Sequence, residues 1–243
     1  MIVHYDGSFE GFLTLVYEVY YERLKPTTII KKEPNSLIFE PLHTIFNDSL
    51  KATKVLQAIK KKFLPKYYQR IFHIFLCDSV DFEMDLLRFI IYGFRDQNTL
   101  ENITLLPIFN LERLEKELLR LAHQMYGFTR FEELEDGSLY AKIETKFNIL
   151  PFLGEHFYKR LGSSAFIIHD TKRSLAYIKD DKQASIHHIA SFETPKHSQD
   201  ESSVRALWKT FFKHTAIENR RNLKLQQSHV PLLYRTYMSE FNP

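Results

Sequence analysis

The side chains best placed to do chemistry are cations near the carboxyl end. Arg205, Lys209 and Lys213 are spaced i, i+4, i+8, so on a helix they form one ridge. Arg220, Arg221 and Lys224 continue the positive run, with His214 and His229 among them. Guanidinium and ammonium groups at such spacing suit successive phosphates, whose counterion release makes binding salt-dependent. Tyr234 and Tyr237 add stacking surface, although packing explains Tyr237 as well. A solvated basic face is the plain alternative. A second cationic feature is the tip His169–Arg173 (HDTKR), with Lys172 and Arg173 at a turn and Arg130 and Arg160 flanking. Asp170, Arg173, Arg220 and Arg221 form the best composite acid–base candidate, should distant segments converge.

Other chemistries find little support. The chain has one cysteine, Cys77, which excludes an internal disulfide, a cysteine zinc site and an iron–sulfur cluster; a buried structural thiol is expected. The 11 histidines form no HExxH or Cys/His pattern, and His187 and His188 point to opposite faces if they lie on a strand. Asp78, Asp81, Glu83 and Asp85 crowd a helix start, where they favour the positive end of its dipole. Asp180 and Asp181 read as turn chemistry. No P-loop, GxGxxG or GxSxG elbow occurs. No metal or cofactor is therefore expected.

The elements that must position these groups follow from periodicity. Residues 2–5 and Thr27–Lys32 read as short strands. Ser8 caps a helix running to about Leu24, and Asn47–Ser49 cap another over 50–62. Helices follow near 66–76, 80–94 and 112–124. Asp136-Gly137 marks a hairpin between Thr129–Leu134 and Ser138–Glu144. A helix from Asn148 to about Leu161 precedes a second hairpin, Ala165–His169 with Leu175–Lys179, giving a ββαββ unit; His187–Phe192 is a candidate further strand. Residues 193–203 read as a mobile polar connector. In the closing section Val204, Leu207, Trp208, Phe211 and Phe212 repeat at helical spacing and are expected to face a core. Pro231 suits the start of a closing helix bearing Leu233, Tyr237 and Phe241.

The expected fold class is thus α+β, helix-rich, with a small antiparallel sheet built from the central hairpins. The expected division is a body over 1–192, a connector over 193–203 and a basic helical segment over 204–243 packing on the body. With 21 Phe and 13 Tyr among 243 residues the core should be aromatic-rich. Net charge is +3. Of 33 Lys/Arg and 30 Asp/Glu, seven and two fall in Ser202–Pro243, which makes that stretch +5 and the rest −2. The N-terminus shows no signal peptide and no apolar run approaches ~20 residues, so a cytoplasmic protein with no membrane contact is expected.

Four blocks carry a family resemblance: YDGSFEGFLTLVYEVY (5–20), RFEE…DGSLYAKI (130–143), HFYKRL…FIIHDTKRSLAYI (156–178) and LWKTFFKHTAIENRRNLKLQQSHVPLLYRTYMSEF (207–241). Together they resemble a bacterial family of DNA-metabolism proteins associated with a radical SAM protein similar to spore photoproduct lyase. A related domain occurs fused ahead of a uracil-DNA glycosylase-like domain. The resemblance implies a role in DNA repair or modification beside that partner, with DNA as a second partner. It carries no reaction with it. The cysteine triad for a SAM cluster is missing, and the chain ends soon after Phe241, so neither radical SAM nor glycosylase activity is expected of this chain. Three readings follow: a DNA-binding accessory protein, an interaction module for the radical SAM partner without DNA contact, or a DNA-acting enzyme with a composite site.

Overall fold

The computed structural model describes residues 1–31, 40–189, 196–217 and 222–241. It is an α+β protein that divides into two compact units, Met1–Leu118 and Leu119–Pro243. The expected boundaries at 192 and 203 lie inside the second unit. A long helix, Leu106–Phe128, runs through the division.

The first unit opens with β1 (Ile2–His4), the middle strand of a three-stranded parallel sheet with β2 (Thr28–Ile30) and β3 (Leu42–Thr44). Periodicity foresees β1 and β2 but not β3, because three residues are too few to show alternation. Helix α1 (Phe9–Tyr21) follows β1; the Ser8 hydroxyl accepts from Gly11 N at 2.9 Å and satisfies an end that has no intrahelical acceptor. Helix α2 (Ser49–Lys62) is capped by Asp48, whose carboxylate accepts from Leu50 N and Lys51 N. Pro65 opens α3 (Pro65–Phe75), and α4 (Glu83–Arg95) follows with Glu83 and Asp85 in its first turn. The apolar stripes meet in an aromatic-rich core around Tyr5, Phe12, Ile59, Ile71, Phe89 and Ile90. Cys77 is fully buried.

Helix α5 (Leu106–Phe128) leads to the second unit, a five-stranded sheet in sequential order. Strand β4 (Glu132–Glu133) pairs antiparallel with β5 (Leu139–Ile143) across the Asp136-Gly137 turn. There Gly137 takes φ +80° and the Asp136 carboxylate accepts from Ser138 N at 2.9 Å. Helix α6 (Leu150–Arg160) carries the chain over to β6 (Phe166–Asp170), which lies parallel to β5. The second hairpin, β6 with β7 (Leu175–Lys179), and then β8 (Ala184–His188) extend the sheet antiparallel. The two hairpins therefore meet through a parallel pair, and the sheet is mixed rather than antiparallel. A parallel pair needs a crossover, and α6 supplies it. One face of α6 buries Leu150, Leu153, Gly154 and Phe157. The strand expected over Thr129–Leu134 shrinks to two residues.

Residues 196–198 are no free connector. Glu135 N donates to Lys196 O, Ser198 N to Glu133 O, and His197 bridges Leu134, so this stretch runs beside β4. Polarity marks it as exposed, but unpaired edge groups on β4 hold its backbone. Helix α7 (Glu201–Thr215), the short α8 (Leu223–His229) and two 3-10 turns over Leu232–Tyr237 and Ser239–Phe241 complete the unit.

Candidate nucleic-acid interface

Of the five α7 residues expected to face a core, Trp208 and Phe212 meet their own unit and three are turned outward. Val204, Leu207 and Phe211 are 54%, 70% and 59% exposed. The helix instead meets its unit through Glu201, Arg205, Trp208 and Phe212. Two polar anchors set this rotation. The Glu201 carboxylate accepts from Glu133 N at 2.9 Å, and the Arg205 guanidinium reaches Glu132 at 2.6 Å. Both anchors lie on one ridge with Trp208 and Phe212, so apolar periodicity alone misjudges the buried side. Sequence gives no sign of Glu132 as the partner of Arg205, since 73 residues separate them.

Trp208 is held at the rim of this contact. Its indole N–H donates to Glu240 at 3.1 Å, and the Arg130 guanidinium lies 5.3 Å from its ring. Arg130 also grips Glu240 with two nitrogens, at 2.5 and 3.2 Å. Burial pushes the Glu240 carboxyl up; the hydrogen bonds and charge of Arg130 and the Trp208 indole more than reverse this and hold it below the ordinary value. Phe212 packs edge-on against Phe241 at 5.5 Å. A cleft of about 260 Å³ opens between α7 and residues 130–132, but Arg130 and Arg205, its cations, already serve internal carboxylates.

The basic residues singled out by sequence thus separate into three groups. Arg205 is spent on Glu132, so the ridge is shorter than its spacing promises. Lys209 and Lys213 on α7 and Lys224 on α8 have no carboxylate partner among the described residues, and Lys213 and Lys224 are exposed. Arg220 and Arg221 lie outside the described residues, which takes half of the composite candidate with them.

The hairpin tip is built differently from a contact surface. Asp170 is fully buried, and Arg173 is 9% exposed. One carboxylate oxygen of Asp170 accepts from Lys172 N and Arg173 N; the other takes Arg173 Nη1 at 2.9 Å. The same guanidinium donates to Thr145 O and Lys146 O, tying the turn to the strand end across the sheet. Arg173 thus braces this corner, with Asp170 as its counter-ion. Removing either partner leaves a buried charge uncompensated, a loss of about 3–5 kcal/mol. Lys172 alone points to solvent from this tip. Among the described residues no three His, Cys, Asp or Glu side chains converge to hold a metal, and no helix is long and apolar enough to cross a membrane.

The second unit is defined by a mixed ββαββ sheet, one further edge strand, and a helix that presents aromatic and basic side chains outward. Residues 81–240 match DUF4130, a domain of unknown function, and the chain belongs to that family. No curated protein and no solved structure matches it.

Proposed function

We propose that the protein is a DNA-metabolism accessory factor that holds unpaired nucleic-acid bases on α7. One observation carries this reading: Phe211 is 59% exposed beside Trp208, ring centroids 5.7 Å apart, with unneutralised Lys209 and Lys213 on the same helix. Base–aromatic stacking is worth about 1–3 kcal/mol per base; Phe211 offers that surface on one flank of α7, and Lys209 and Lys213, two residues to either side of it, offer phosphate-seeking charge on the other flank, so a strand that uses both wraps the helix. Lys224 and Lys172 are further exposed cations of the same unit, and the resemblance of the four sequence blocks supports a DNA role beside a radical SAM protein.

Trp208 is the single tryptophan and lies in this interface, so its emission reports on it directly. Titration with oligothymidylate at low salt is expected to quench Trp208. Affinity should fall as salt rises, and Lys209→Ala with Lys213→Ala should flatten that dependence by about 0.7 for each phosphate no longer neutralised. Phe211→Ala should weaken binding by roughly tenfold without changing the slope. A flat titration at low salt sinks the proposal.

A second reading rests on Val204 and Leu207, which stack no base. An aliphatic outward stripe also suits a protein partner, and the radical SAM protein is the partner the likeness in sequence names. Association that survives high salt and disappears in Leu207→Ser would favour this reading over the first.

A further inference from the structure

The first unit contains a groove that neither the DNA reading nor the family accounts for. It lies between the end of α1, the outer side of α2 and the end of α4, and encloses about 440 Å³, the size range of small-ligand sites. Its floor is apolar, with Val16 and Val55. Aromatic rings form one wall: the Tyr20 ring lies 5.6 Å from Phe94 and 5.3 Å from Tyr21, and the two tyrosines are 50% and 63% exposed. Lys54, Lys61 and Lys62 stand around it.

The charge on this groove is unbalanced. Among the described residues no carboxylate lines it. Glu18 on α1 and Glu22 just past its end are already engaged, since Lys51 bridges Glu18 and Glu22 at 3.1 and 2.9 Å and His43 meets Glu18 at 3.2 Å. Lys62 donates to the Phe94 carbonyl at the end of α4, which fixes its ammonium at the mouth. Lys54 sits 5.9 Å from the Tyr17 ring, and neither it nor Lys61 has an ion-pair partner among the described residues. Three ammonium groups around an aromatic-walled, half-open hollow call for a ligand that is planar and apolar on one side and multiply anionic on the other.

We propose that this groove binds a nucleotide, its base against Tyr20 and its phosphate between Lys54 and Lys61. An aliphatic carboxylate is a poorer fit, because an alkyl chain gains from an enclosed slot, whereas flat rings at an open mouth favour a flat ligand. The site is independent of α7 and stands or falls separately.

Calorimetric titration of the full chain with thymidine monophosphate, thymidine, inorganic phosphate and laurate tests it. The monophosphate is expected to bind, with thymidine and phosphate each weaker by at least ~10-fold, since a charge-assisted hydrogen bond is worth about 1.5–3 kcal/mol. Lys54→Ala with Lys61→Ala should weaken the monophosphate by about 10- to 100-fold, and Tyr20→Leu by roughly tenfold. These positions are exposed, so melting curves should stay unchanged. Lys209→Ala with Lys213→Ala on α7 should leave the monophosphate affinity intact, which separates this site from the α7 interface. An oligothymidylate that binds here no better than the monophosphate identifies a free nucleotide as the source; tighter binding that is abolished in the Lys54/Lys61 variant identifies a strand. Thymidine equal to its monophosphate, laurate tighter than either, or no heat of binding at millimolar ligand overturns the proposal.

Discussion

Glu240 is the residue on which the carboxyl end of the second unit turns. Its side chain is 1% exposed and joins three segments: Arg130 beyond α5, Trp208 on α7, and its own 3-10 turn. Because its pKa in the folded protein lies below the ordinary 4.5, its contribution is fully present above that value and is lost as pH falls through the lower, folded value. The emission of Trp208 should therefore shift on acidification with a midpoint below 4.5, and Glu240→Gln should remove the step. A step centred above 4.5 in the native protein would assign it to another group. None of this was legible in the sequence. Glu240 stands 110 residues from Arg130, and no periodicity links them. The basic ridge was legible as a spacing, but a spacing does not say which cation meets an internal acid, and Arg205 does.

Among the elements, the local signals with a stereochemical cause read correctly. Ser8, Asp48 and Pro65 mark helix starts because each resolves an orphan N–H, and Asp136-Gly137 marks its turn because Gly137 needs φ +80°. What failed depends on tertiary partners: the facing of α7, the parallel pairing of β5 with β6, and the strand β3. Helix α6 shows how close such partnering is. A Cβ on Gly154 would come within 2.1 Å of the Tyr177 ring on β7, so the absence of a side chain there sets how near the helix lies to the sheet. Gly154→Ala should destabilise the second unit by about 1–3 kcal/mol, read by chemical denaturation. A smaller residue at Tyr177 in the same chain should recover part of the loss. An alanine variant as stable as the parent would mean that the helix rides further out.

For the molecule as a whole, each unit has its own buried centre: Phe12, Phe89 and Ile90 in the first, Tyr140, Phe147 and Phe166 in the second. Each is large enough to unfold as a cooperative step. In the first unit Glu115 joins α3 to α5, accepting from Arg70 at 2.6 Å and meeting His73 at 2.8 Å. Glu115→Gln weakens both, an expected loss of about 1–3 kcal/mol. In scanning calorimetry this change should lower one melting component, and Gly154→Ala should lower the other. A single transition moved equally by both would show that the halves melt as one.

The parallel join between β5 and β6 also limits how this chain can vary. The offset between the hairpins is not set by a turn, as it is within each hairpin, but by the length of chain spent on α6 and its two short links. That segment works as a spacer of fixed gauge. One residue added or removed between Ile143 and Phe166 either bulges a link or slides β6 by one position against β5, which would swing Phe166, Ile168 and Asp170 from the interior to the opposite side. Length changes should therefore accumulate at the exposed Asp180–Lys182 bend and avoid the crossover.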